Sequence, residues 1–169
     1  MAAVAGSVAS GATVVPRLLA DTDAEGTPET PLTRQEATAL QELMAAVVYE
    51  DPWLAGGHNG LSNAEDPRQP QDPYPRVKEL REVMREGGIP DTLPIVMAGG
   101  VWRLDEWDHW IDNPELGQIA FQYGTRPLLT EESPIPQGWK DRLRTLDDGD
   151  ILLHRFSPTG FYSSAVRNP

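Results

Sequence analysis

The sequence contains no cysteine among its 169 residues. The chain therefore has no disulfide, no thiolate metal ligand and no thiol nucleophile, which is typical of proteins from reducing compartments. Its first residues are small and apolar, but a secretory signal needs a basic segment before the apolar one, and the first basic residue here is Arg17. We therefore predict a cytoplasmic location.

Basic residues are also few, because 14 Lys and Arg stand against 26 Asp and Glu and leave a formal net charge of -12. Nucleic acids and acidic lipids attract surfaces that are rich in Lys and Arg. Long apolar runs are missing as well, since none approaches the roughly 18 residues of a membrane span. We predict no nucleic-acid partner and no membrane partner, and we expect a small molecule as the substrate.

Two classes of catalytic site lack their sequence signals. The three histidines, His58, His109 and His154, include no pair spaced four residues apart on a helix, so we predict no metal site. No Gly-x-Ser-x-Gly elbow occurs, and a Ser-His-Asp hydrolase is therefore not supported.

The length allows one domain with a core, but a complete (β/α)₈ barrel typically takes roughly 250 residues. Residues 1–33 are small, are interrupted by Thr, Pro and Gly, and lack apolar periodicity, which predicts an irregular or disordered leader. A capping box at Thr33 and Glu36 predicts that a helix begins there. Residues 46–50 are either the end of that helix or a short strand, and the sequence does not decide between them.

The rest of the chain alternates between helical and strand patterns. A long polar loop is expected over residues 51–75, which include five prolines. After it, the periodicity and the breakers predict helix 75–87, strand 94–98, helix 103–111, strand 119–123, helix 137–146 and a last apolar run at 151–153. This alternation favours a parallel βαβ architecture with strands buried on both faces.

Tryptophans and other apolar residues recur on or beside the predicted helix 103–111. Aromatic residues at such spacing most often pack in a core rather than around a cofactor, so we predict no site there. The residues concerned are Trp102, Leu104, Trp107, Trp110 and Ile111.

Two of the predicted strands end on glycine, one at Gly99-Gly100 and the next at Gly124-Thr125. Neighbouring parallel strands with bare backbone at their carboxyl ends can bind a phosphate through unpaired N–H groups. The hydroxyl of Thr125 is a further donor, and Arg126 is a candidate counter-charge. The alternative is that the glycines only end the strands and that Arg126 pairs with a surface carboxylate.

His58 is the strongest catalytic candidate, because glycines on both sides allow its imidazole to reach a ligand without steric cover. Histidine titrates near neutrality and can act as a general base or as a donor to an anionic substrate. The alternative is a loop histidine beside a simple β-turn at Asn59-Gly60.

Three glycine motifs, in this order, resemble the successive flavin-site motifs of the nitronate monooxygenases, formerly called 2-nitropropane dioxygenases. They are Gly56-Gly-His-Asn-Gly60, Met97-Ala-Gly-Gly-Val101 and Phe121-Gln-Tyr-Gly-Thr-Arg-Pro-Leu-Leu129. Asn63-Ala-Glu-Asp-Pro67 and Arg155-Phe-Ser-Pro-Thr-Gly-Phe-Tyr162 also resemble a bacterial branch of that family. The resemblance covers roughly residues 46–169, and three ordered motifs are more specific than any one of them.

The resemblance implies an FMN-dependent (β/α)₈ barrel that oxidises alkyl nitronates with dioxygen to a carbonyl compound and nitrite. It also implies that His58 is the active-site group, either as the base for a nitroalkane or as the hydrogen-bond partner of the nitronate. The cofactor-binding residues that it implies are Gly57, Ala98, Gly99, Gly100, Tyr123, Gly124 and Thr125.

The family's first strand, with a Pro-Met stretch that packs on the flavin, is not recognisable in residues 1–45. We therefore expect residues 34–169 to form the C-terminal part of a flavin-binding TIM barrel, and such a partial barrel exposes sheet edges. Two alternatives stay open, a non-catalytic barrel fragment and a related flavin-dependent enoyl reductase. The sequence also leaves open whether the chain forms a homo-oligomer.

Overall fold

The computed structural model describes residues 43–62, 64–155, 158 and 160–167. The predicted leader, residues 1–33, and most of the helix predicted to begin at Thr33 lie outside the described residues. The described chain divides into two compact units. The first contains residues 43–49, 72–96 and 109–120, and the second contains the described parts of 50–71, 97–108 and 121–169.

The described residues form a mixed α/β structure. Its strands are β1 (Val47–Glu50), β2 (Gly57–His58), β3 (Ile95–Ala98), β4 (Ile119–Gln122), β5 (Ile151–His154) and β6 (Ser163–Val166). Its α-helices are α1 (Pro73–Glu86) and α2 (Gln137–Arg144), and 3₁₀ helices span Leu104–Trp110, Arg126–Leu129 and Asp148–Asp150. Residues 46–50, which the sequence left undecided, therefore include a strand.

β1, β3 and β4 form a three-stranded parallel sheet in the order β1-β3-β4, and no closed barrel is present in the described part of the chain. The central strand β3 is buried, with Ile95 and Met97 fully covered. The prediction that the strands are buried on both faces is wrong for β1 and β4, whose residues are mostly half-exposed. Both are edge strands of this sheet, and an edge strand has a neighbour on one side only.

Helix α1 begins two residues before the predicted start and ends at Glu86. Asp72 caps it by accepting a hydrogen bond from the N–H of Tyr74 at 3.0 Å, and Pro73 occupies the first turn, where a missing N–H costs nothing. Val77 and Met84 lie on its buried face. Gly88 follows the helix with a φ of 78°, the left-handed conformation that glycine adopts at low cost.

Arg81 belongs to the buried face of α1, although it is charged. Its side chain is fully buried, and its guanidinium donates to the carbonyl oxygens of Leu116 at 2.5 Å, Gln118 at 2.9 Å and Leu93 at 3.0 Å. These carbonyls belong to the segments that lead into β3 and β4. Arg81 therefore joins α1 to both segments within the first unit.

Residues 104–110 form a 3₁₀ helix rather than the predicted α-helix over 103–111. The prediction that the apolar residues of this stretch pack in the core holds for Trp110, which is buried. It is wrong for three others, Trp102, Leu104 and Ile111, which are exposed. A 3₁₀ helix repeats every three residues, so apolar residues at α-helical spacing do not stay on one face.

The last apolar run, β5, does not continue the parallel alternation predicted for it. It pairs antiparallel with β6, and β6 pairs antiparallel with β2, in the order β2-β6-β5. Only residues 155–162 connect β5 to β6. A parallel pairing needs a crossover of about a dozen residues or more, so this connection allows only the antiparallel arrangement.

Among the described helices, none combines the length and the apolar character that crossing a membrane would require.

Candidate functional site

The three glycine motifs follow the carboxyl ends of the three parallel strands, and all three lie in the second unit. Residues 51–58 follow β1, the glycine turn 99–100 follows β3, and residues 123–125 follow β4. In open and closed parallel sheets, ligands bind at this end of the strands because the connecting loops meet there. This edge is the candidate site, and residues 51–60 are called the histidine loop below.

Both residues of the glycine turn have a left-handed backbone, with a φ of 97° at Gly99 and 71° at Gly100. A Cβ on Gly99 would lie 2.8 Å from the backbone nitrogen of Ala55 and 3.0 Å from its Cα. Backbone atoms cannot move aside as a flexible side chain can. The sequence explained Gly99 by the approach of a phosphate, whereas the structure shows that the approach of the histidine loop already requires glycine here.

Gly100 has a different neighbour, because its Cβ position lies 2.6 Å from Cδ1 of Leu54. A leucine side chain can rotate away, so this contact restricts residue 100 less than the Ala55 backbone restricts Gly99. Leu54 is itself exposed. The histidine loop therefore contacts both residues of the glycine turn. The backbone of Ala55 approaches Gly99, and the side chain of Leu54 approaches Gly100.

Gly124 and Thr125 have open space around them. No heavy atom lies within 4 Å of the Cβ position of Gly124. Thr125 precedes the 3₁₀ helix Arg126–Leu129 and makes no capping hydrogen bond with its side chain. This helix is a single short turn, so the candidate donors here are the N–H groups and the hydroxyl themselves rather than a helix dipole.

The donors at the two strand ends suit an anion. Within the described residues, the N–H groups of Gly100, Gly124 and Thr125 donate to no protein acceptor. Neutral N–H and hydroxyl donors are a common donor set for phosphate, since several of them can share the charge. The open space beside Gly124 leaves its N–H accessible to such an anion.

Among the described residues Arg126 forms no ion pair with a surface carboxylate, and its role as counter-charge for a phosphate stays a prediction. Its guanidinium donates to the carbonyl oxygen of Trp102 at 2.7 Å, and it lies 5.4 Å from the ring centroid of Tyr123. It therefore contacts a carbonyl and an aromatic ring instead of a surface carboxylate. The bond to Trp102 links the segment after β4 to the segment after β3. Tyr123 itself is half-buried.

The histidine loop begins at Asp51, which the sequence analysis did not identify. Asp51 is 1% exposed, and its Oδ1 accepts from the N–H groups of Trp53 at 2.9 Å and Leu54 at 2.8 Å. Its own N–H donates to the carbonyl of Ala98 at 2.8 Å, and its carbonyl accepts from the N–H of Ala55 at 3.0 Å. An Asp followed by Pro is a turn signal that would have indicated this role.

His58 lies at the far end of this loop, in the two-residue strand β2. Its backbone is opposite Ser163 of β6, and Gly57, with a φ of 73°, is opposite Ser164. The N–H of Asn59 donates to the carbonyl of Tyr162 at 3.2 Å. The alternative of a simple β-turn at Asn59-Gly60 is not what forms, because the backbone here pairs with β6.

Several carboxyl groups in this unit have shifted pKa values, and Glu50 and Asp105 show the two directions. Glu50, the last residue of β1, is half-buried, and burial raises the pKa of its carboxyl because the charged form loses hydration. Asp105 accepts hydrogen bonds from Arg103, which lower the pKa of that carboxyl. Glu50 is therefore more easily protonated than an ordinary glutamate, and Asp105 less easily than an ordinary aspartate.

No group of three or more His, Asp or Glu side chains suited to a metal ion occurs in the part of the chain that the structure describes.

Comparison with known proteins gives no further assignment. No family model matches the sequence, and no curated protein matches it significantly.

Proposed function

We propose that the chain binds FMN at the carboxyl ends of β3 and β4 and oxidises alkyl nitronates with dioxygen to a carbonyl compound and nitrite. The observation that supports this most is that three motifs, which resemble flavin-site motifs, follow three neighbouring parallel strands, and that the motif residues all lie in the second unit. The motifs therefore end three adjacent strands, as the successive units of a parallel sheet require.

The residues that would hold the cofactor follow from the donors. The N–H groups of Gly100, Gly124 and Thr125 would bind the phosphate, together with the Thr125 hydroxyl, and Gly99 would keep the turn in place. Ala98 ends the central strand. Of the remaining predicted positions, Gly57 lies in β2 and Tyr123 directly follows β4. Because the donors are neutral, binding depends on their number and direction more than on net charge, which is strongly negative here.

When bound, the flavin would supply the redox chemistry of the reaction, and the protein would bind, orient and polarise the substrate. His58 would do the proton chemistry. With a nitronate, which is already an anion, a protonated imidazole donates a hydrogen bond to the substrate. With a neutral nitroalkane, a neutral imidazole accepts the proton from carbon.

The fold that we propose around this site is the C-terminal part of a TIM barrel, and the compartment is the cytoplasm. The parallel order β1-β3-β4 supports the first statement, since successive barrel strands are neighbours. The absence of cysteine supports the second.

The half-exposed edge strands favour a second candidate, a barrel fragment without catalysis. Edge strands present unpaired N–H and C=O groups, and a partial barrel would lack the walls that cover a flavin ring. The two candidates differ in one cheap observation, because the fragment would not retain FMN. A flavin-dependent enoyl reductase would differ from both by consuming a reduced nicotinamide cofactor.

We predict that Gly124→Ala weakens FMN binding without changing the fold. The added methyl group enters the open space beside the free N–H, and loss of one hydrogen bond to a charged phosphate costs about 1.5–3 kcal/mol, or roughly 10- to 100-fold in Kd. Quenching of flavin fluorescence in a titration measures this Kd, and thermal unfolding tests the fold.

Gly149→Ala is the matched control, because Gly149 also has no heavy atom within 4 Å of its Cβ position and has no left-handed backbone. It should bind FMN as the wild type does. Equal Kd values for the two variants would rule out Gly124 as part of the phosphate site.

A further inference from the structure

We infer that Asp51 is a positioning residue for His58, and this inference rests on the proposed function. Asp51 holds the start of the histidine loop on the glycine turn, and the phosphate donors and the histidine are thereby kept in one arrangement. No substrate contact is assigned to Asp51 itself.

Several hydrogen bonds meet at Asp51. Its Oδ1 accepts two N–H groups, from Trp53 at 2.9 Å and Leu54 at 2.8 Å. Its main chain is bonded on both sides, to the carbonyl of Ala98 at 2.8 Å and the N–H of Ala55 at 3.0 Å. Residues 51–55 are thus one closed turn that is attached to the end of β3. Hydrogen bonds to a buried carboxylate are stronger than those to a neutral acceptor.

The turn also contacts Gly99 closely. A Cβ on Gly99 would lie 2.8 Å from the nitrogen of Ala55 and 3.0 Å from its Cα, so the backbone of the turn packs directly on the backbone of Gly99. Such an approach is kept only if the turn has a fixed shape, because small displacements would open or overlap the contact. The carboxylate of Asp51 gives the turn that shape. Cofactor donors and histidine loop are therefore coupled through residues 51, 55 and 99.

His58 also lies close to this turn along the chain. His58 is three residues beyond Ala55, and a chain of three residues spans at most about 10 Å. Fixing Ala55 therefore limits where the backbone of His58 can lie. The other restraint on it is the two-residue strand β2, paired with β6. A two-residue strand is a weak restraint by itself, since isolated short pairings are marginal in water.

A side-chain hydrogen bond from Trp53 also holds the same loop. The indole Nε1 of Trp53, which is buried, donates to the carbonyl of Asp66 at 3.0 Å. The N–H of Trp53 is one of the two groups that Asp51 accepts. Loss of the Asp51 carboxylate would therefore loosen residue 53 as well as residue 54.

The test compares Asp51→Ala with Asp51→Asn, which keeps an acceptor oxygen at the same position. Asp72→Ala is the matched control, because Asp72 also accepts an N–H two residues ahead, from Tyr74, but caps α1 at an exposed position. Three quantities are measured. These are amide hydrogen exchange of residues 53–57 and the backbone amide chemical shift of residue 58, both without FMN, and kcat and KM for a nitronate in the FMN-loaded protein.

In Asp51→Ala we expect exchange at residues 53–57 to rise by about tenfold or more and kcat to fall by about tenfold or more, with KM changed less. The amide chemical shift of residue 58 should change, and Asp51→Asn should restore most of each effect. Asp72→Ala should change none of them. Exchange and kcat at wild-type levels in Asp51→Ala would overturn the inference, and so would a failure of Asp51→Asn to restore them.

Gly99→Ala is a second variant that leaves the carboxylate in place. Its Cβ would overlap the backbone of Ala55, so the same rise in exchange at residues 53–57 is expected while the Asp51 side chain is intact. If the wild type shows no nitronate turnover, the proposed function fails, and exchange and the amide chemical shift of residue 58 then decide the positioning role alone. Fast exchange in both variants supports it, and wild-type exchange in both overturns it.

Discussion

His58→Asn should lower nitronate turnover by about 100- to 10,000-fold while FMN stays bound, because general acid–base groups contribute an effect of that size. Asparagine is polar but does not titrate, so it cannot donate a proton from a cationic ring or take one from carbon. The backbone of residue 58 is paired with Ser163 and needs no particular side chain. The measurement is nitronate-dependent oxygen uptake at saturating FMN.

His154→Asn is the control for this variant. In β5, His154 is also the register partner of Ser163, from the opposite side of β6. Its replacement should leave turnover within about twofold of the wild type, as expected for a residue outside the site. Unchanged turnover in His58→Asn with flavin bound would remove His58 from the mechanism.

Arg81→Met should lower the free energy of unfolding by about 3–5 kcal/mol, because it removes three hydrogen bonds that a buried guanidinium donates, one of them to the buried carbonyl of Leu116. Such a loss is a large part of the 5–15 kcal/mol that typically stabilises a domain. Methionine keeps a long apolar side chain in place, so the effect reports the lost hydrogen bonds more than an empty volume. Urea unfolding followed by circular dichroism measures the change.

Arg85→Met, one turn further along α1, is the matched comparison. Arg85 forms an ion pair with Asp91 at 2.8 Å, and both side chains are exposed. Exposed pairs contribute little, so a loss below about 1 kcal/mol is expected. Similar losses in the two variants would mean that the buried contacts of Arg81 contribute no more than a surface pair does.

The elements that the sequence predicts well are those whose signals are local. Helix α1 was expected from apolar residues at helical spacing, a proline in its first turn and two glycines at its end, and it forms with bounds that differ by two residues or fewer. β3 and β4 were expected from short apolar runs that end on glycine. Periodicity, caps and breakers act over a few residues, so one sequence contains them in full.

Pairings over a longer range were not predicted. β6 is Ser-Ser-Ala-Val, which has neither alternation nor many β-branched residues, and it becomes a strand because β5 and β2 lie on its two sides. Strand propensity depends on neighbours more than helix propensity does. The 3₁₀ helix Leu104–Trp110 was predicted as an α-helix for a related reason, since the apolar spacing did not distinguish between the two.

At the candidate site, the binding of a cofactor by these segments stays a prediction, and the sequence missed two structural features. The motifs after β1, β3 and β4 were expected to lie together, and the parallel order of these strands puts their carboxyl ends at one edge. The close approach at Gly99 was attributed to a ligand, and the atoms that approach it belong to Ala55. Asp51 was not identified either. Contacts between segments more than forty residues apart have no sequence signal of their own.

The most direct test of the account is the absorbance spectrum of the purified chain between about 350 and 500 nm, recorded before and after FMN is added and the excess is removed, because a bound flavin absorbs there. We predict a flavin band that remains after the excess FMN is removed. The band should be weaker in Gly124→Ala and unchanged in Gly149→Ala. Nitronate-dependent oxygen uptake should accompany it. A colourless protein after this treatment would contradict the proposed cofactor and leave the barrel fragment as the better description.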